Sequence, residues 1–103
     1  MHVISESRLK EFWEKYPDAK TSLRSWYKLA TTAQWSNLAE VKAVFSSADN
    51  IVGNFTVFNI RGNNYRLITF IDYEYRPKKI FIRSVLTHEE YDEDKWKKDS
   101  WYE

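Results

Sequence analysis

The sequence predicts an α+β domain spanning residues 1–103, with a short N-terminal strand and two helices packed on an antiparallel β-meander that ends in a short helix. Three observations carry this reading. Two adjacent apolar stripes with helical spacing precede Thr31. From Asn54 onward the apolar period changes to two, the period of a strand. Thr87-His88-Glu89-Glu90 then has the T-x-x-E form of a capping box, which starts a helix.

His2 to Ser5 is a short apolar start, read as the first strand. Leu9, Phe12, Trp13 and Tyr16 follow at i, i+3, i+4, i+7, the stripe of a helix. Pro17 ends it, because the residue before a proline is pushed out of helical geometry. Asp18 is placed to cap a second helix, whose stripe is Leu23, Trp26, Tyr27 and Ala30. Leu38, Val41 and Phe45 repeat the spacing over a short third piece, with Ser36 or Asn37 as its cap and Lys42 at its edge. Three strands then follow, Phe55–Ile60, Tyr65–Tyr73 and Lys79–Leu86. Arg61-Gly62-Asn63-Asn64 supplies residues that tolerate positive φ in a tight hairpin. Pro77 breaks the chain between the second and third strands. The end, Asp94–Glu103, extends the last helix or frays.

Hairpin geometry gives a register. A turn centred between Gly62 and Asn63 sets Asn59 opposite Arg66. A turn centred between Arg76 and Pro77 sets Arg66 opposite Thr87, so that Asn59, Arg66 and the Thr87-His88 junction converge. One sheet face then carries Phe58, Ile60, Tyr65, Leu67, Ile71, Ile80, Ile82 and Leu86 and belongs under the helices. The other carries Phe55, Val57, Asn59, Arg66, Ile68, Phe70, Asp72, Phe81, Arg83 and Val85. Two arginines among aromatics suit a groove that holds phosphate while rings stack on bases. The competing reading pairs Arg66 or Arg83 with Asp72 in a structural ion pair.

Composition narrows the chemistry. Hydrophobic residues make up 43% and aromatics 17%, which is a packed domain rather than a disordered chain. The five Trp and seven Tyr exceed the needs of a small core, so some are expected as surface contacts. There is no cysteine, which removes disulfides, thiolate metal sites and a Cys nucleophile, and points to a cytoplasmic setting. No apolar run spans a membrane. Met1–His88 holds 13 Lys/Arg against 8 Asp/Glu, whereas the remainder holds 3 Lys against 7 Asp/Glu. A basic body attracts a polyanion, and an acidic end masks or tunes that surface.

His2 and His88 have no carboxylates at a metal-ligand spacing, and there is no Gly-rich phosphate loop or G-x-S-x-G motif. Metal-free and cofactor-free acid–base chemistry remains. RNA brings its own nucleophile, the 2′-hydroxyl, and its cleavage needs a base, an acid and cations on the phosphate. Arg66, Arg83, His88 and Tyr91 are the candidate catalytic residues. The arginines clamp phosphate, and His88 and Tyr91, three residues apart on one helical face, move protons. Taken singly, His88 also reads as a helix-start histidine and Tyr91 as a packed helix residue.

Val57-Phe58-Asn59-Ile60-x-Gly62-Asn63-x-x-Arg66-Leu67-Ile68, with Phe81-Ile82-Arg83-x-Val85-x-Thr87-His88-x-x-Tyr91-Asp92, resembles the HigB family of type II toxin–antitoxin systems, within the RelE superfamily. Leu38-x-x-Val41-Lys42-x-x-Phe45-x-x-Ala48-Asp49 is similar to the family pattern as well. The resemblance implies a RelE-like fold and an mRNA interferase, an endoribonuclease that cuts messenger RNA, often on the ribosome. It also implies neutralisation by a HigA-type helix-turn-helix antitoxin. Matching the motif carries over Asn59, Arg66, Arg83, His88 and Tyr91, with Lys42 added; Lys42, Asn59 and Arg61 are assigned to RNA contact. The acidic end departs from the more positive ribosome-dependent toxins and points to a partner-assisted enzyme. Two other functions fit the same face: a non-catalytic RNA- or protein-binding module, and an inactive toxin relic that partners a helix-turn-helix regulator.

Overall fold

The computed structural model describes residues 1–102. Its elements run β1 (His2–Ile4), α1 (Ser7–Lys15), a 3₁₀ turn (Pro17–Ala19), α2 (Lys20–Thr32), α3 (Leu38–Val44), β2 (Asp49–Val52), β3 (Phe55–Ile60), β4 (Tyr65–Asp72), β5 (Lys79–Thr87), α4 (His88–Asp92) and a second 3₁₀ turn (Lys95–Lys98). The expected α+β architecture is present, with one extra edge strand, β2. The five strands form one sheet in the order β1-β5-β4-β3-β2. The meander is antiparallel, and β1 adds to it in parallel along β5.

The helices cover one face. Leu9, Leu23, Trp26, Ala30 and Val41 bury their stripes against Phe58, Ile60, Tyr65, Leu67, Ile71, Ile80 and Ile82. Asn37 caps α3 by accepting from the Glu40 N–H at 3.0 Å. Asp18 does not cap α2. The chain runs from the 3₁₀ turn straight into α2, with Ala19 already helical and no side-chain cap. The Asp18 carboxylate instead accepts from the Tyr65 hydroxyl and pairs with Arg61 at 3.3 Å, which ties the helical layer to the first hairpin.

The first hairpin has the expected register, with Asn59 opposite Arg66. The second does not. Arg66 lies opposite Leu86, and Thr87 lies opposite Tyr65. Ile68 faces Ser84 while Thr69 faces Ile82, so Arg83 is an extra residue in β5, a β-bulge. The bulge reverses the alternation beyond it. Leu86 leaves the helix-side face and joins Phe55, Val57, Ile68 and Trp96 in a second apolar cluster on the opposite face. Val85 takes its place, packing against the helix-side core. Val85 and Leu86 are both apolar, so hydrophobic patterning carried no sign of the exchange.

The C-terminal segment neither extends α4 nor stands away from the domain; Glu103 lies outside the described residues. Asp94 takes a left-handed conformation (φ 60°), which Asp tolerates better than most residues. The chain thereby turns back over the sheet. Trp96 is buried in the second cluster, and Tyr102 meets its ring edge-on at 5.0 Å. Both sheet faces are therefore covered, one by helices and part of the other by the Trp-rich C-terminal segment.

Candidate active site

The open end of the second face is built on a corner of the first hairpin. Gly62 has φ 64°, a conformation glycine adopts without Cβ strain, and the Arg61–Asn64 turn closes there. The Asn63-Asn64 corner then gathers three groups. The Asn59 side-chain amide donates to Asn63 Oδ1 at 3.0 Å. Arg66 Nη1 donates to the Asn63 carbonyl at 2.9 Å and to the Tyr65 carbonyl at 3.2 Å. The His88 N–H donates to the Asn64 carbonyl at 3.1 Å, which fixes the start of α4 beside the hairpin.

Thr87 makes α4 possible. Its hydroxyl accepts from the Glu90 N–H at 3.2 Å, and Glu90 Oε1 accepts from the Thr87 N–H at 2.9 Å. This is the capping box the sequence predicts. It places Tyr91 one turn along, where its ring lies under the Arg66 guanidinium at 5.5 Å. Both Arg66 hydrogen bonds to the chain use Nη1, so Nε and Nη2 remain to meet a phosphate fork.

Burial raises the Tyr91 hydroxyl above its ordinary pKa of 10.0. The Arg66 charge opposes that, while Asp49, Asp94 and Asp92 add to it. Tyr91 thus holds its proton at neutral pH. The His88 imidazole is half-exposed, with Nδ1 3.0 Å from Asp92 Oδ2 one turn along the helix. A proton on Nδ1 would face that carboxylate, with Nε2 as the nitrogen that can accept.

The structure brings together Asn59, Arg66, His88 and Tyr91. It does not bring the other candidates to that cluster. Arg61 is turned to Asp18. Lys42 lies exposed on α3 and makes none of the contacts that tie the cluster together. Arg83 is engaged by Asp99, whose two carboxylate oxygens accept from Nε and Nη2, each at 2.8 Å. The ion pair weighed for this arginine therefore exists, but its partner is Asp99. Asp72 instead accepts from the backbone of Glu74 and Tyr75.

A concavity of about 600 Å³ lies between α1 and α2 rather than at the cluster. An extended strand of nucleic acid binds along an open surface, so a shallow cluster beside a sheet suits it better than an enclosed cavity. The sequence reading names Asp92 in its motif and Asn63-Asn64 in its turn but gives neither a role at the site. His88 and Asp92 at i, i+4 were a usable signal. The corner acts through backbone carbonyls, which any residue supplies.

A family described as HigB_toxin, RelE-like toxic component of a toxin–antitoxin system, matches residues 19–94. The chain belongs to the HigB toxin family. It is 37% identical over 94 residues to the mRNA interferase toxin HigB of Escherichia coli (strain K12), covering 89% of this chain and 88% of that protein. The mRNA interferase HigB of Shigella flexneri matches to the same extent. An mRNA interferase HigB of Escherichia coli O6:H1 is 31% identical over 94 residues, covering 89% of each chain. The family match includes every candidate residue from Lys42 to Tyr91 and stops at Asp94, before the segment that covers Arg83.

Proposed function

We propose that this HigB-family toxin is a metal-free endoribonuclease that cleaves messenger RNA in the cytoplasm. The observation that supports this best is the Asn63-Asn64 corner, which holds Asn59, Arg66 and His88 within reach of one substrate segment. The names of its relatives, mRNA interferases, point the same way.

Cleavage proceeds by in-line attack of the substrate's own 2′-hydroxyl. His88 Nε2 takes the 2′-OH proton as the O2′–P bond forms. Arg66 presents Nε and Nη2 to the non-bridging oxygens, where negative charge gathers. Tyr91, which retains its proton, donates it to the departing 5′-oxygen as the P–O5′ bond breaks. The products are a 2′,3′-cyclic phosphate and a 5′-hydroxyl. Asp92 positions the His88 ring. Asn59, Lys42 and Arg61 contact flanking RNA. The shallow site and the acidic excess from Glu89 onward favour an RNA presented by the ribosome over RNA captured free in solution. The natural inhibitor is a HigA-type helix-turn-helix antitoxin.

Induced expression tests the reading. The wild-type chain arrests growth, and His88→Ala and Arg66→Ala each relieve the arrest while remaining folded. Full toxicity of both folded variants overturns the site assignment. A wild-type chain that neither arrests growth nor depletes messenger RNA overturns the nuclease.

A further inference from the structure

Arg83 is bound more completely than a tail anchor requires. Asp99 engages it through both oxygens at 2.8 Å. The Trp101 ring lies 3.6 Å from the guanidinium and meets Phe70 and Phe81 edge-on at 5.1 and 5.2 Å. A cavity of about 260 Å³ surrounds the pair, lined by Arg8, Arg83 and Lys95 around the single Asp99 carboxylate. Three cations line this cavity; Arg8 Nη1 also donates to the Arg83 carbonyl, and Lys95 also approaches Glu93 at 4.0 Å. The segment is already anchored by Trp96 in the second apolar cluster, so its attachment does not depend on Asp99. Along β5, Arg83 stands three residues before Leu86, the residue opposite Arg66, or about 10 Å. Arg83 therefore stands apart from the Arg66 cluster along the strand.

We propose that Arg8, Arg83 and Lys95 form a second phosphodiester-binding subsite on the RNA-facing side of the sheet, occupied here by the chain's own Asp99 as a phosphate stand-in and Trp101 as a base stand-in. An RNA strand that reaches the subsite displaces both: its phosphate takes the Arg83 fork, and a base takes the aromatic seat on Phe70 and Phe81. The segment thereby weakens binding of RNA that contacts this protein alone. The proposal rests on the nuclease reading for the identity of the ligand.

The test uses the full chain and a ten-nucleotide 2′-O-methyl oligoribonucleotide, which lacks the attacking hydroxyl and is not cut (length chosen on the order of a single-strand site). Asp99→Asn removes the competing charge and nearly preserves shape. It is expected to tighten binding about tenfold and to steepen the dependence of log K on log salt by about 0.7, one more phosphate contact on a single strand. Adding Arg83→Gln to Asp99→Asn removes both gains. Thermal melting confirms that each variant is folded. Unchanged or weaker binding by folded Asp99→Asn overturns the subsite, as does a gain that survives Arg83→Gln. Absence of measurable binding by every variant overturns it as well. Transcript cleavage in cells is scored separately, so failure of the subsite with cleavage intact leaves the nuclease reading standing, and the reverse pattern rejects only the nuclease.

Discussion

The Arg66 guanidinium lies 5.5 Å above the Tyr91 ring, so β4 and α4 meet at a cation and an aromatic face. Two backbone carbonyls hold the same guanidinium from behind. Replacing Arg66 with alanine is expected to slow transcript cleavage by about 10²–10³-fold, the usual cost of one preorganised donor to a developing oxyanion. Arg66→Lys recovers only part of the loss, because an ammonium lacks the planar fork. The first-order rate of transcript loss after induction measures both.

Tyr91→Phe keeps the ring beneath Arg66 and removes only the hydroxyl. Cleavage is expected to fall by about 10²–10⁴-fold, the range for a general acid. Stability should change by no more than about 0.5 kcal/mol, since the ring and its packing stay in place. The pH dependence has a definite sign. An acid works while protonated, and burial raises this hydroxyl above 10.0, so the alkaline limb assigned to Tyr91 lies above that value. A limb that belongs to Tyr91 and falls below pH 10.0 contradicts the role.

Thr87→Ala removes the hydroxyl half of the capping box that starts α4. It is expected to cost about 1 kcal/mol of stability. It is also expected to lower activity, because the two residues proposed to move protons sit on the helix it caps. Urea denaturation, with the midpoint shifted and the slope unchanged, checks the first part.

Leu86→Ala tests the bulge. Leu86 packs under Trp96 in the second cluster, so truncation is expected to cost about 2–5 kcal/mol and to loosen the C-terminal segment. Hydrogen exchange of the Trp96–Tyr102 amides should accelerate, while the helix-side core stays protected. The reverse pattern would place Leu86 under the helices.

Asp99 makes the segment acid-sensitive. Burial alone would raise its carboxyl, but the Arg83 hydrogen bonds, the Trp101 N–H and the Arg83 and Arg8 charges outweigh that and leave it below its ordinary 3.8. A depressed folded-state pKa adds stability that is complete above the unfolded value and is lost as pH falls through the folded one. The Asp99–Trp101 stretch should therefore stay on Arg83 from neutrality down to the ordinary carboxylate range and lift off below it, while Trp96 keeps the segment attached. Trp101 fluorescence checks this, and Asp99→Asn abolishes the acid step.

Local rules explain what was legible in the chain. The stripes of α1 and α2, the Asn59–Arg66 register and the Thr87–Glu90 capping box each depend on residues close in sequence, and each is present. What escaped depends on distant pairing or on backbone atoms. The Arg83 bulge follows from competition between the two hairpins, and apolar residues on both sides of it left no pattern. Asp18 fits the local pattern of a cap, whereas its actual partners, Tyr65 and Arg61, lie more than forty residues away. The fold-back of Lys95–Tyr102 turns on one left-handed Asp94 and on a hydrophobic seat for Trp96 that exists only once the sheet has formed. Among the candidate residues, the four that converge come from the strand–turn and strand–helix junctions, where register is short-range.

Mapping of transcript 5′ ends after induction, with and without translation, tests the central claim most directly. The wild-type chain should produce new 5′-hydroxyl ends within messenger RNA, dependent on translation, and Arg66→Ala should produce none. Growth arrest without new ends, or the same ends at the same rate from folded Arg66→Ala, would contradict it.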